Sequence, residues 1–563
     1  MPTVFVNDKP VEIGAQKLNC VQVAELAGTH VPHYCYHPAL SIVASCRMCL
    51  VEVGELKDGK VTMQPKVLPG CQTPVKDGMV IVTGDYPKRD KSAPTLAYDA
   101  AYKPGDRAKK SQADTLEGLL VNHPLDCPVC DKAGECKLQD YSYEFGRSES
   151  RMVDQKNTPP NKPDISSKIT LFTDRCIMCS RCVRFTREIS GTAELTITNR
   201  GHHSEIDVFP GIPLENKLAG NVVDLCPVGA LGSKDFLYTQ RVWYLKDVDG
   251  VCSGCSTGCS IHVDVNKDIV YRLRPRENHA AQGYFMCDEG RWGYHYANSR
   301  ERISRAMMKV NGAFQPTPWN ELLPKLIADL ADAVKKNVTG VVVALSPFLT
   351  VEEAYLYADA FKAMSKDVRL VLGPVPLTGD DDHYPKDVKG HAVQPTKFTI
   401  RAEKCPNRAG VEAVLNRMQG QLIRWSEVAS QPMTALVFIG GYPDKAVVES
   451  AISGKLPDLI IVQDLFPSAL SAAAKYVLPA TTSFEKDGTF VNHANLAQTF
   501  PRAVTPPKEA RTELQLAFDL LGRKGLAQAS SVRKELAKVL PTLAHLADVA
   551  PAPQGKRLEL QLA

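Results

Sequence analysis

Alternation of apolar and polar residues opens the chain. Val4, Val6, Val11 and Ile13 alternate with polar neighbours around Asn7-Asp8, a pattern that predicts a β-hairpin. A short helix is expected over residues 21–26, with strands at 50–53 and 80–82. The order is then strand, strand, helix, strand, strand, with a cysteine-rich loop inside it. An apolar helical stretch at 116–121 is expected to end by Pro124, because proline cannot continue a helix. Much later, unbroken apolar runs at 341–345, 435–439 and 459–462 read as buried parallel strands. They are interleaved with helical stretches such as 322–334, which implies an α/β layer. No stretch of about 18 apolar residues occurs, so no membrane-spanning helix is expected.

Between these patterned segments, residues 147–168 and 316–319 read as linkers. Residues 376–410, rich in proline and acidic residues, read as a long irregular excursion, and 550–555 as an exposed tail. The strand pattern begins by Val4, so no leader segment is expected. At 563 residues, roughly four domains are expected. A net charge of +4 is nearly balanced for this length, and no basic stripe interleaved with aromatics appears, so nucleic-acid binding is disfavoured. The most basic run, residues 103–110, reads as a solvated loop.

Cysteine changes this picture most. Of the 17 cysteines, all but Cys20 and Cys405 fall with one histidine into four consecutive quartets. Cys35, Cys46, Cys49 and Cys71 suit a 2Fe-2S cluster. A structural zinc is the alternative, disfavoured because only Cys46 and Cys49 are close-paired. His123, Cys127, Cys130 and Cys136 suit a 4Fe-4S cluster with one imidazole ligand, whose neutrality would raise the reduction potential. Cys176, Cys179 and Cys182 are closed by a remote Cys226-Pro227, the spacing of a single 4Fe-4S cluster. Cys252, Cys255, Cys259 and Cys287 suit another, with Gly254 and Gly258 allowing close backbone approach. His30, His33, His37, His202 and His203 lack a comparable unfilled site and read as solvent-facing or hydrogen-bonding. Cys20 reads as a buried apolar residue at the first helix. With clusters as their use, the thiols belong in a reducing compartment. Gly254 to Gly258 also fits G-x-S-x-G, but no strand-turn-helix pattern surrounds it.

In this order the quartets resemble those of the large iron-sulfur subunit of NADH:quinone oxidoreductase, the G-type subunit of respiratory complex I. The first segment is similar to the β-grasp of plant-type ferredoxins, with a lengthened loop between Cys35 and Cys46. The segment around Val251-Cys-Ser-Gly-Cys, with Tyr476-Val-Leu-Pro-Ala and Glu485-Lys-Asp-Gly, resembles molybdopterin oxidoreductases. The resemblance implies a multidomain α+β and α/β chain. It would comprise a β-grasp 2Fe-2S ferredoxin domain over 1–85, a helical 4Fe-4S unit with one His and three Cys ligands over 86–148, and a ferredoxin-like 4Fe-4S domain over 149–240. A molybdopterin-oxidoreductase-type 4Fe-4S domain over 241–300 and an abbreviated scaffold over 301–563 would follow.

Within that last domain no cofactor is expected. No lysine follows Cys287-Asp288-Glu289-Gly290, and Cys405 in Lys404-Cys-Pro-Asn-Arg is not in the family's metal-ligand context. The implied cofactors are one 2Fe-2S and three 4Fe-4S clusters, without molybdenum. No catalytic acid, base, nucleophile or dinucleotide fingerprint is found, so the implied role is electron transfer only. Electrons would pass from a flavin-bearing NADH-oxidising subunit to the first quartet. They would go on through the Cys176 and His123 clusters to a ferredoxin-like two-cluster subunit leading to quinone. The Cys252 cluster would lie off this line. A small 2Fe-2S subunit and other peripheral-arm subunits are further implied partners, on the cytoplasmic side of a bacterial inner membrane and without direct membrane insertion. An NAD-linked molybdenum formate dehydrogenase subunit is the alternative. An iron-only hydrogenase is nearly excluded, because Cys405 alone follows Cys287.

Overall fold

The protein is described from a computed structural model covering residues 2–86, 95–451, 455–507, 509–541, 544, 547 and 556–557. The expected tail at 550–555 lies outside the described residues. The chain forms two compact units. One comprises Met1–Tyr244 with Pro385–Val393, the other Leu245–Tyr384 with Gln394–Ala563.

In the first unit, Thr3–Val6 and Lys9–Glu12 pair antiparallel. Asn7 and Asp8 both hold positive φ, at 48° and 70°, the turn that matches strand twist in a two-residue hairpin. Asn7 is locked by reciprocal 2.9 Å bonds with Thr83, its Nδ2 donating to Oγ1 and its Oδ1 accepting from the backbone N–H. Thr3–Val6 runs parallel to Met79–Val82, which pairs antiparallel with Leu50–Lys57. The helix Cys20–Leu26, capped by Asn19 and Gln22, buries Val21, Val23 and Ala24 in the same core as Val4, Val51 and Ile81. This is the expected β-grasp arrangement, enlarged by an outer strand, Lys60–Met63. Cys20 is buried as expected, and burial pushes its thiol up to about 12.

The basic run at 103–110 is not a solvated loop. It opens the helix Asp106–Leu120. Glu52, fully buried on Leu50–Lys57, accepts from the backbone N–H groups of Arg107 and Ala108 at 3.0 and 3.1 Å and pairs with the Arg107 guanidinium. A carboxylate at a helix N-terminus is electrostatically favoured, and residues 55 apart in sequence give no local sign of it. This helix packs against Lys137–Phe145 through Leu116, Leu138 and Tyr141. Further along are two antiparallel ribbons, Ile169–Leu171 with Leu231–Ser233 and Leu195–Thr198 with Glu205–Val208. The helices Arg181–Glu188 and Asn221–Leu225 accompany them.

The second unit begins with a three-stranded antiparallel sheet, Lys246–Val251, Ser260–Asn266 and Ile269–Pro275. Its main layer is a seven-stranded sheet in the order Ala313–Pro316, Met307–Val310, Tyr476–Pro479, Leu459–Asp464, Ala435–Ile439, Val341–Leu345, Arg369–Leu372. The last five strands are mutually parallel, as the apolar runs predict. Both faces are covered. Val341, Val343 and Leu345 enter one core with Leu322, Leu326 and Phe361, while Val342 and Ala344 enter another with Trp425 and Phe438. Alternate residues of one strand thus meet two apolar surfaces, which is why the run has no polar member. The excursion at 376–410 is less irregular than expected, since Asp382–Tyr384 and Phe398–Ile400 form an antiparallel ribbon. Among the described residues no helix is long and apolar enough to cross a membrane.

At the carboxyl end of Leu459–Asp464, the buried Asp464 accepts through one oxygen from the backbone N–H groups of Gly441, Tyr442 and Leu465, at 2.8, 3.1 and 2.8 Å. Burial nevertheless raises its pKa from the ordinary 3.8 to about 7. Folded Asp464 therefore keeps a proton that the unfolded chain has already released. Its contribution to stability is full below about pH 4 and is lost as pH rises through 7. Asp464→Asn preserves the accepting oxygen and is expected to flatten this part of the pH dependence. Denaturant midpoints between pH 4 and 7 check this, and an unchanged slope in the variant would refute it.

Candidate functional site

The loop from Cys35 to Cys49 lies beside Leu50–Lys57, with Ala44 and Arg47 at φ 50° and 57° on either side of Cys46. Cys35, Cys49 and Cys71 are buried and Cys46 half-buried. The Cys35 thiol is in hydrogen-bond contact with Cys46 and Cys71, and Cys49 with Cys71. These contacts lower the Cys35 thiol and raise those of Cys46 and Cys71, since acidic groups this close cannot ionise independently. The Cys35 backbone N–H also points at Cys46 Sγ, 3.4 Å away.

In the second quartet Cys130 and Cys136 are buried and Cys127 is exposed. Burial raises Cys130, and Cys136 to about 11, each further raised by a neighbouring thiol of the set. His123 is pushed down to about 4, mainly by burial and then by Lys156 and Arg175. It is therefore neutral, and its Nδ1 is buried without a hydrogen-bond partner. A ring nitrogen left without a hydrogen-bond partner in a buried place suits a metal ligand. The backbone closes tightly behind Cys130. A methyl on Gly229 would stand 2.2 Å from Cys130 Sγ and 3.2 Å from Lys132 Cβ. Gly229→Ala is accordingly expected to displace Cys130 and lower iron occupancy at this quartet alone. Iron analysis with electron paramagnetic resonance (EPR) of the variant checks it.

Cys176, Cys179, Cys182 and Cys226 line a small cavity whose other walls include Leu171, Ile206, Val228 and Leu231. Met178 and Ser180, at φ 52° and 58°, turn the backbone between the cysteines. Burial in this apolar setting raises Cys176 to about 12, Cys179 to about 11 and Cys182 well above its ordinary value, with neighbouring thiols of the quartet adding to each.

The fourth quartet lines a second cavity with Gly254, Met286, Glu289 and Gly290. The N–H groups of Gly254 and Gly290 point at Cys252 Sγ and Cys287 Sγ, each at 3.4 Å. A methyl on Gly290 would reach 2.9 Å from Cys252 Sγ. Burial raises Cys252 to about 12, with Cys255 adding to it. Cys405 is buried but does not line this cavity. Lys404 reaches the rim from a distant segment, its Nζ 2.5 Å from Glu289, and partly offsets the rise at Cys252. Nothing in the local pattern of residues 376–410 marks that role.

Every donor set is thiol, or thiol with one imidazole, and three of the four are fully or largely enclosed. Such soft sets suit iron-sulfur clusters, zinc or cuprous ions, not hard cations. A tetrahedral zinc would draw its sulfurs to within about 4 Å of one another. Among the described residues, the group of three or more potential ligands all within 4.8 Å of each other is Asp247, Asp249 and His262, and no thiol trio is so crowded. The first quartet nonetheless brings Cys35 into hydrogen-bond contact with both Cys46 and Cys71. His30 meets Tyr141 Oη at 2.8 Å, His33 the Val31 carbonyl at 2.8 Å, and His37 Nδ1 accepts from Ala39 at 3.1 Å, the hydrogen-bonding role expected of them.

Matches to known families follow these four sites. Residues 2–86 match a 2Fe-2S iron-sulfur cluster binding domain, and 112–151 the NADH-ubiquinone oxidoreductase-G iron-sulfur binding region. Residues 166–232 match the ferredoxin-like domain of NADH-quinone oxidoreductase subunit 3. Residues 245–299 match the molybdopterin oxidoreductase Fe4S4 domain and 409–523 molybdopterin oxidoreductase. The 75 kDa subunit of NADH-ubiquinone oxidoreductase from Reclinomonas americana is 33% identical over 391 residues, 69% of this chain and 51% of that protein. The G subunit of Rickettsia conorii NADH-quinone oxidoreductase is 34% identical over 336 residues, 59% of this chain and 45% of that one.

This chain is a homologue of the G subunit of NADH-quinone oxidoreductase.

Another relative, the mitochondrial NADH dehydrogenase iron-sulfur protein 1 of Solanum tuberosum, is 35% identical over 345 residues, 61% of this chain and 42% of that protein. The chain spans about half the length of these curated relatives. A crystal structure of an NAD+-reducing [NiFe]-hydrogenase aligns over 43% of this chain and 91% of that one, at 23% identity and a TM-score of 0.34, too slight to bear on the fold. The domains matched in this chain are of 2Fe-2S and Fe4S4 types, and the relatives are named as subunits of NADH-quinone or NADH-ubiquinone oxidoreductase. The residues that the cysteine pattern missed are charged ones beside the sulfurs: Arg175, Arg181, Arg184 and Lys404. For the three arginines the signal was present, since each lies within two residues of a cysteine in 175–184.

Proposed function

We propose that this chain is an electron-relay subunit of an NADH:quinone oxidoreductase, holding one 2Fe-2S cluster on Cys35, Cys46, Cys49 and Cys71 and three 4Fe-4S clusters on the other quartets. Clusters of these kinds take up and release electrons one at a time. The protein's part is to hold the sulfurs, exclude water and set the intervals. Its modules are those bounded at 1–85, 86–148, 149–240, 241–300 and 301–563, the last a scaffold without cofactor. Its partners are a flavin-bearing NADH-oxidising subunit, a small 2Fe-2S subunit and a ferredoxin-like two-cluster subunit. Its place is the cytoplasmic face of a bacterial membrane.

The observation that carries this reading is the packing of the first three quartets against one another within one unit. The first and third share arginine bonds, Arg184 donating to the carbonyls of Cys35 and Cys179. The third and second share a loop, since Cys136 Sγ lies 3.8 Å from the Pro227 carbonyl and Lys137 N–H donates to it at 3.0 Å. Arg175, preceding Cys176, pairs with Asp126, preceding Cys127, at 2.9 Å. The first and second segments also meet, His30 reaching Tyr141 Oη at 2.8 Å, and the third quartet's contacts with both are compatible with the first, third, second order that the family resemblance implies.

The test is iron, acid-labile sulfide, zinc and molybdenum per anaerobically purified chain, with low-temperature EPR after dithionite reduction. About 14 irons, no molybdenum, and one 2Fe-2S signal with several 4Fe-4S signals are expected. Zinc in place of iron would overturn the relay, and stoichiometric molybdenum would revive the formate dehydrogenase reading.

A further inference from the structure

Two guanidiniums, Arg184 buried and Arg181 half-buried, stand between the first and third quartets, and among the described residues neither forms an ion pair. Arg181 and Arg184 lie one helical turn apart on Arg181–Glu188, which begins just before Cys182. Arg184 is 8% exposed. It donates to the carbonyls of Ser41, Cys35 and Cys179, the last at 3.3 Å, and to Ser180 Oγ at 3.3 Å. Arg181 donates to the carbonyls of Tyr36 and Leu225, the latter at 3.4 Å. Cys35 and Tyr36 belong to the first cysteine loop, while Cys179 and Leu225 flank the third quartet. Each side chain thus clamps both loops, across as many as 149 residues of sequence.

The electrostatics agree with the geometry. The charge of Arg181 is felt by Cys179 on one side and by Cys35 and Cys46 on the other, and Cys179 feels both arginines. A buried cation without a partner is costly, and among the described residues neither arginine forms an ion pair. The negative charge these cations face is the thiolate sets themselves.

We infer that Arg184, supported by Arg181, is a positioning residue shared by the first and third clusters: it fixes the interval between them and holds both at a higher reduction potential than either loop would set alone. The inference rests on the relay reading above. A positive charge near an anionic cluster stabilises the reduced form, which carries one more electron. Because one guanidinium touches both ligand loops, its removal acts on two potentials together, where an ordinary structural arginine would act on neither or on one. Two hydrogen bonds from Nη2 also give a short connection between a ligand of each set, while Nη1 and Nε hold the same plane through Ser41 and Ser180, a fork that a lysine does not reproduce.

The experiment uses the full-length chain with its clusters in place, in three forms: unaltered, Arg184→Lys and Arg184→Met. Iron and sulfide content and the wild-type EPR signals test the relay reading. Redox titration followed by EPR, with the spin-spin interaction between the two reduced clusters, tests Arg184. Arg184→Met is expected to leave iron unchanged and lower both potentials, with about a tenfold loss in each one-electron reduction equilibrium, or 59 mV. Arg184→Lys is expected to restore both potentials while the spin-spin interaction stays weakened. A shift at one cluster only, or at neither, overturns the shared role. So does loss of iron from either quartet in both variants, which would make Arg184 a folding residue. Absence of the wild-type signals would instead refute the relay.

Discussion

Cys226→Ala is expected to cost the chain about four of its roughly 14 irons and to abolish, not merely slow, electron passage to quinone in the assembled complex. Cys226 follows the short helix Asn221–Leu225 in an extended conformation and closes a cavity whose other walls are three cysteines, aliphatic side chains, Ser180 and Arg181. Burial already disfavours ionisation of Cys176, Cys179 and Cys182, so thiolates persist there only where bound iron offsets their charge. Three sulfurs leave one corner of the group open in a cavity that offers no oxygen or nitrogen side chain besides Ser180 and Arg181. Ser180 Oγ already accepts from Arg184 Nε at 3.3 Å and Arg181 is a cation, so neither is a ready substitute ligand. In the order that the relay reading proposes, the third quartet stands between the first and second, so its loss interrupts the line. The fourth quartet, built in the other unit, should keep its signal. Iron analysis and EPR decide the matter, and a full iron count in the variant would remove Cys226 from the ligand set.

Lys486→Met is expected to destabilise the second unit by about 3–5 kcal/mol, the usual result of removing one partner of a buried ion pair. Lys486, 4% exposed, lies 2.9 Å from Glu353 and 3.7 Å from Glu513, which are 0% and 1% exposed. Glu353 caps the helix Val351–Met364 by accepting from the Thr350 N–H at 2.8 Å, and Glu513 accepts from the Thr481 N–H at 2.9 Å. Taking the ammonium away leaves two buried carboxylates facing each other. Burial already raises Glu353 to about 7, with Lys486 holding it down and Glu513 pushing it up. Without Lys486 its pKa rises further, and the folded state gains protons relative to the unfolded one. The deficit of the variant should therefore shrink as pH falls from 7 toward 5. Urea midpoints at both pH values measure this. Adding Glu353→Gln, which keeps the cap while removing a charge, should recover much of the loss.

Several features were legible because they are local. The Asn7-Asp8 turn, the helix capped at Asn19 and the uniformly apolar strands declare themselves within a few residues. The quartets are legible for the same reason, since metal chemistry limits both the residue types and the spacing of a ligand loop. The basic run at 103–110 misled because its meaning lies in Glu52, whose burial no nearby residue announces. Lys404 and the arginine clamps were missed likewise, though the arginines stood beside the cysteines in plain view.

What the sequence by itself determined is therefore the inventory: four soft-ligand sets, a β-grasp start and a parallel sheet buried on both faces. Periodicity and ligand spacing are short-range properties, and burial or metal binding imposes them position by position. Only the tertiary structure decided which sets touch. The first quartet meets the third through Arg184, the third meets the second through Pro227, and the segments of the first and second also meet at His30 and Tyr141, an order of contacts that chain order does not show. That order depends on which loops pack together, and packing joins residues as many as 149 positions apart, with nothing in the intervening chain to encode it locally.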